Sequence, residues 1–338
     1  MELMELNVVW FVLVAVLFIG FFFLEGFDYG VGMLVKLLGR DDTERGMLVR
    51  TIGPVWDGNE VWMITAGGAM FAAFPHVYAT MFSGFYLALF VLLLALIMRG
   101  VAFEFRAQDK SPAWRNFWDW SIFFGSAVPA LLWGVAVANL IAGVPINEKM
   151  IYVGTFFDLL TPYTLVTGVA FLLVFLYHGS AFVTLKVVEP LAGRARDMAL
   201  YAGGLALFAA VACLAMTAIY TDAMTSSASI IAFVLAAILL VLSYIFMLFD
   251  VCKKAFICSS LSIAMLTVGF FAGLFPRLMV SSLNPEWSLT IYNAASTPYT
   301  LKIMTIAAVC LVPIVLAYQI WTYWVFRKRV TPFDDAHY

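Results

Sequence analysis

Between Val8 and Leu24 the chain carries no charged side chain, and its one hydrogen-bonding side chain is the Trp10 indole. Runs of this kind recur, several reaching the roughly 20 residues that a helix needs to cross a bilayer. Inside lipid every backbone N–H and C=O must be paired within the protein, so only helices and closed barrels can span. Barrel strands would read as alternating segments of about 10 residues, whereas these runs are continuously apolar. The chain is therefore expected to be an all-α polytopic membrane protein. Composition agrees: of 338 residues, 64% are hydrophobic and 12% charged, where a soluble domain would be about a quarter charged.

Nine spans are expected, roughly at 7–38, 56–74, 77–103, 116–142, 161–187, 197–219, 228–249, 255–275 and 301–326. They make a single transmembrane domain over 1–338, with a first helical group about 7–142, a second about 161–275, and the last helix at 301–326. Two four-helix bundles plus one peripheral helix fit this count, although the runs do not impose that grouping. Pro75 and His76 mark a tight turn between the second and third spans, since Pro ends a helix. The segment around 276–300 is the longest loop, and no loop is long enough to fold as an independent domain.

If the N-terminus is outside, the inner ends and loops hold all of the 19 Lys and Arg except Lys149, Arg277 and Lys302. Arg99, at the end of the third span, is counted in that inner set. Cytoplasmic loops carry the excess of Lys and Arg, so an N-out, C-in chain follows. Omitting one span would reverse every later loop, which favours an odd number. Trp114, Trp118, Trp120, Trp321 and Trp324 lie near predicted inner ends, where amphipathic rings favour the interface. The first run follows Glu2 and Glu5, with no Lys or Arg ahead of it and no small-residue cleavage site behind. It is expected to remain as a helix rather than to act as a signal peptide. A net charge of −2 and the lack of a basic tract give no support for nucleic-acid binding. The four cysteines are scattered without CxxC spacing and read as small membrane-helix residues.

Against this apolar background the acids stand out. Glu25 and Asp28 follow the first run within the same span, three apart and so on one helix face. A charged residue at a helix centre costs about 2.5–3.5 kcal/mol, so two cost about 5–7. The 14 Val, Leu, Ile and Phe between Val8 and Leu24 return about 4–8 kcal/mol in total. The helix can insert, but the acids use most of the margin unless they face protein or water or carry a proton. Asp57 and Glu60 open the second span, again three apart; Glu104 ends the third and Asp119 starts the fourth. On the expected topology all six lie toward the cytoplasmic face. Glu25 and Asp28 can be a proton or ion path, or hydrogen-bonding glue between helices that Gly26 and Gly30 bring close. Asp57 can serve a path or the start of its helix, where acids complement the dipole. Glu60 and Asp119 read first as interfacial. Of the three histidines, His337 is terminal and His76 lies in a turn. His178 alone falls within a span, as a packing or hydrogen-bonding residue or as a haem ligand.

The stretches FFFLEGFDYGVGML, GPVWDGNEVWMITAGGAMFAAFP and RGVAFEFR resemble subunit II of the cytochrome bd-type quinol oxidases. LYHGSAFVTLK is the most recognisable piece of the later half. The resemblance implies a subunit without haem that pairs with a larger subunit I, which holds two b-type haems and one d-type haem. It implies a complex in a prokaryotic plasma membrane that oxidises quinol and reduces oxygen to water with protons taken from the cytoplasm. Small single-helix accessory subunits and a structural quinone are further implied possibilities. The family's proton-path acids match Asp57 and Glu104, with Trp56 in the same block, and its first-helix acidic pair matches Glu25 and Asp28. Glu60, Asp119 and His178 are secondary. Two other readings compete: a proton-coupled secondary transporter, and a haem protein in its own right with His178 as ligand.

Overall fold

The computed structural model describes residues 5–333. Glu2 and His337 lie outside the described residues. Eleven α-helices follow one another: α1 (Leu6–Leu37), α2 (Asp42–Ile52), α3 (Trp56–Ala73), α4 (Pro75–Gly84), α5 (Tyr86–Phe105), α6 (Pro112–Ala142), α7 (Pro162–Lys186), α8 (Leu191–Tyr220), α9 (Ser227–Leu248), α10 (Cys252–Leu274) and α11 (Pro298–Val325). Local chemistry sets many of the starts. Pro75, Pro112, Pro162 and Pro298 each open a helix, where a missing N–H costs nothing and φ is already helical. Thr161 and Thr297 cap α7 and α11 by accepting from the backbone N–H groups of Thr164 and Thr300, and Asp41 caps α2 through Glu44.

Eight helices among the described residues are long and apolar enough to cross a membrane: α1 and α5 to α11. The remaining expected span, 56–74, is α3. It has 18 residues, about 27 Å of helix, and its first turns carry Asp57, Asn59 and Glu60. The expected third span divides at Phe85 into α4 and α5, so His76 lies in helix α4 rather than in a turn. The amphipathic α2 was not foreseen as an element. Trp120, Trp321 and Trp324 are exposed as interfacial rings should be, but Trp118 is buried.

The centre of the molecule is α1. It packs on α3, α6, α7 and α10, while α7 pairs with α8 and α9 with α10. At its crossing with α7 the backbones nearly touch: a Cβ on Gly30 would lie 2.1 Å from the Phe175 carbonyl oxygen and 2.7 Å from the Gly179 Cα. Only two glycines permit that approach. Gly20 does the same on another face, where a Cβ would meet the Trp62 ring of α3 at 2.2 Å. α11 is peripheral, with Leu301 its one buried residue among those described. It is tied to the start of α1 by the Trp10 indole, which donates to the Leu301 carbonyl at 3.2 Å and to Thr305 Oγ1 at 3.0 Å. The long loop is structured. Strands β1 (Arg277–Met279) and β2 (Leu289–Thr290) pair antiparallel, and Leu278, Met279, Leu289 and Ile291 cover the apolar cluster around Trp10, Phe11 and Val14.

Candidate functional site

The acids of α1 do not face the α7 crossing. Glu25 and Asp28 look toward α3 and α5, and both are fully buried. Arg99, on α5, reaches them from the other side. Its Nη2 donates to Glu25 Oε1 and, at 3.0 Å, to Glu60 Oε1 of α3. Its guanidinium carbon lies 4.7 Å over the Tyr29 ring, a cation–π contact strengthened by the absence of water. Arg99 is 0% exposed. It is therefore not one of the inner-face charges among which the sequence counted it, because an intramembrane carboxylate needs an intramembrane partner.

Asp28 is held differently. Asn59 Nδ2 donates to Asp28 Oδ2 at 2.6 Å. The other end of that amide, Asn59 Oδ1, accepts from Tyr323 OH at 2.8 Å and from Gln319 Nε2 at 3.3 Å. Gln319 Oε1 in turn accepts from the Trp62 indole at 2.9 Å. Four helices, α1, α3, α5 and α11, thus meet in one polar cluster whose ionisable core is three carboxyls to one guanidinium. Glu25 Oε2, Asp28 Oδ1, Tyr29 OH and Arg99 Nε and Nη1 are buried and find no partner among the described side chains. Buried polar atoms in folded proteins are otherwise paired with protein or ordered water.

Asp57 and Glu104 are not part of this buried group. Both are exposed, at the start of α3 and the end of α5. Trp56 links the two ends, its ring 5.0 Å from that of Phe103. Asp57 is one turn ahead of Glu60, whose side chain is 17% exposed, so the acids of α3 step from surface to interior. Asp119 lies apart. It is buried and accepts from Arg106 Nε at 2.6 Å and Arg45 Nη1 at 3.2 Å, while Arg106 and Arg115 also hold Asp42. That network staples α2 to α5 and α6.

His178 is fully buried with both ring nitrogens engaged. Nε2 donates to the Phe23 carbonyl at 3.1 Å, Nδ1 lies 2.7 Å from Ser259 Oγ, and the ring stacks on Phe256 with centroids 4.8 Å apart. It has no free nitrogen for haem iron, and the packing reading fits. No group of three or more His, Cys, Asp or Glu among the described residues could hold a metal ion. An interior apolar cavity between α7, α8, α9 and α10 measures about 50 Å³. A benzene-sized guest needs about 150 Å³, so this cavity does not fit a quinone ring.

Arg99 as a site residue, Asn59, Gln319 and Tyr323 were not singled out from sequence. Two signals were present: an Arg inside an apolar run, and a Gln and a Tyr four apart on one face of the last helix.

Residues 6–326 match the family model described as cytochrome bd terminal oxidase subunit II. The chain is 45% identical over 339 residues to cytochrome bd ubiquinol oxidase subunit 2 of Bacillus subtilis (strain 168), covering 99% of each. It is 38% identical over 368 residues to cytochrome bd-I ubiquinol oxidase subunit 2 of Escherichia coli (strain K12), covering 97% of this chain and 96% of that one. Among solved structures it is similar to a chain of the bd oxidase from Geobacillus thermodenitrificans, with a TM-score of 0.74 over 96% of this chain and 100% of the other. At 17% identity that likeness is one of fold.

Proposed function

This chain belongs to the cytochrome bd terminal oxidase subunit II family, a multi-pass plasma-membrane subunit of an oxygen-reducing quinol oxidase, and we propose that it supplies part of the proton-uptake path of that complex. The observation that carries the reading is the buried set Glu25, Asp28, Glu60 and Arg99, approached from the surface by Asp57. Reducing oxygen to water consumes protons, and one guanidinium cannot neutralise three carboxyls in a low-dielectric interior. Protons meet the excess.

In this reading Asp57 and Glu104 collect protons at the exposed end, with Trp56 fixing the two helix ends against each other. Glu60 receives a proton one turn further in. Arg99 holds Glu60 and Glu25 side by side, so that loss of charge on one is answered by a tighter bond to the other. Asp28 and Asn59 extend the polar track to α11. Haem, when bound in subunit I, supplies the electron transfer and oxygen chemistry; this chain's residues hold and move protons and brace the partner. Two b-type haems and one d-type haem in subunit I, any single-helix accessory subunit, and a nine-span N-out, C-in topology in two bundles with α3 as a span belong to the same proposal.

Asp57→Asn tests it. In an assembled complex the variant is expected to lower quinol-dependent oxygen consumption by about a hundredfold or more, the low end of what a positioned proton-transfer group contributes. Full turnover with normal assembly would remove Asp57 from the path. A companion Glu60→Gln complex separates the surface acid from the interior one.

A further inference from the structure

The end of α1 and the start of α8 meet beside α2 at one membrane face and enclose an open cavity of about 600 Å³. Four of its lining residues are cations, Lys36, Arg40, Arg45 and Arg194, against one carboxylate, Asp197. The protein does not use up these charges. Lys36 Nζ donates to Asn116 Oδ1 at 2.8 Å and lies 4.8 Å over the Trp120 ring, two uncharged partners. The exposed Arg40 makes no ion pair among the described residues. Arg45 shares Asp119 with Arg106. Arg194 gives Nη2 to Glu44 at 2.5 Å, but its Nε and Nη1 are buried without a hydrogen-bond partner. The guanidinium open to the cavity is that of the exposed Arg40, and such a fork matches the paired oxygens of a phosphate.

The rim of the cavity adds a second, independent feature. Tyr201 lines it and also heads a stripe down α8. Tyr201, Leu205 and Phe208 are 70%, 41% and 78% exposed, and their spacings of four and three put them on one helix face. Leu37, 48% exposed, flanks the same opening. A free inorganic anion would use the cations but not the stripe. A ligand with an anionic head and an apolar tail uses both, as basic pockets between membrane helices do with acidic headgroups.

We propose that this cavity binds the headgroup phosphate of an anionic phospholipid, whose acyl chain lies along the Tyr201–Leu205–Phe208 stripe of α8. The site is separate from the buried acids and does not depend on their role.

The test uses the intact complex purified in detergent and stripped of lipid. Phosphatidylglycerol, phosphatidylcholine and inorganic phosphate are added separately, with native mass spectrometry and the thermal midpoint as readouts. Phosphatidylglycerol is expected to be retained and to raise the midpoint, while the other two leave it unchanged. The double variant Lys36→Gln, Arg40→Gln is expected to bind about thirtyfold more weakly, about fivefold for each basic charge at the interface. Lys149→Gln is expected to bind as the unaltered chain does. Equal retention of phosphatidylcholine would overturn the proposal, as would undiminished binding by the double variant. An inorganic phosphate effect equal to that of phosphatidylglycerol would also overturn it, by assigning the cavity to a free anion.

Discussion

Arg99 has fewer alternatives than any other side chain in the buried cluster. It is enclosed, it touches two carboxylates, and its remaining N–H groups have no escape to water. Removing one member of a buried ion pair leaves the other as an uncompensated charge, at a cost of about 3–5 kcal/mol. Arg99→Met is therefore expected to lower stability by about that amount in chemical denaturation of the detergent-solubilised protein. The double variant Arg99→Met, Glu25→Gln should recover much of the loss, because the orphaned charge is then gone. Equal instability of the single and double variants would show that Arg99 acts through packing alone. At this scale the sequence revealed the acids, since Glu25 and Asp28 contradict the apolar run before them. It did not reveal their partners. Asn59, Gln319 and Tyr323 are neutral polar residues near helix ends, where such residues have many uses, and their convergence requires three helices to be placed first.

At the level of elements, the crossing of α1 and α7 is set by absent side chains. A Cβ at Gly30 collides with backbone on α7, which cannot rotate away as a side chain can. Gly30→Leu is expected to cost about 3 kcal/mol or more and to reduce the yield of folded protein in size-exclusion chromatography. Gly67 on α3 meets nothing within 4 Å, so Gly67→Ala should be neutral or raise stability by about 0.5–1 kcal/mol. If both variants behaved alike, close backbone approach would not be what holds the crossing. GxxxG was legible because its meaning is local. The split of the third run at Phe85, and the polar opening of α3 that leaves it short of the other spans, were less so. Hydropathy averages over the few residues on which a helix breaks or starts.

Across the whole molecule the distribution of Lys and Arg makes a directional statement. On the proposed topology Lys149 and Lys302 belong to one face, and Arg327, Lys328 and Arg329 to the other. With an N-out, C-in chain, Lys149→Cys should react with a membrane-impermeant maleimide in intact cells, and Arg329→Cys only after permeabilisation. The reverse pattern would invert the topology. Moving Arg99 from the face to the interior leaves this bias intact, because so many other charges share its side.

By itself the sequence determined that the chain lies in a membrane as helices, roughly where each long helix runs, and that acids sit where lipid would not tolerate them bare. Those are consequences of length, apolarity and transfer energy, which are properties of single segments. The tertiary structure alone decided which acids share a cation, that Asp119 joins an arginine network instead, that His178 is fully occupied by hydrogen bonds, and that a peripheral helix reaches in with Gln319 and Tyr323. Pairing is a property of distance between segments, and distance is fixed by how helices cross.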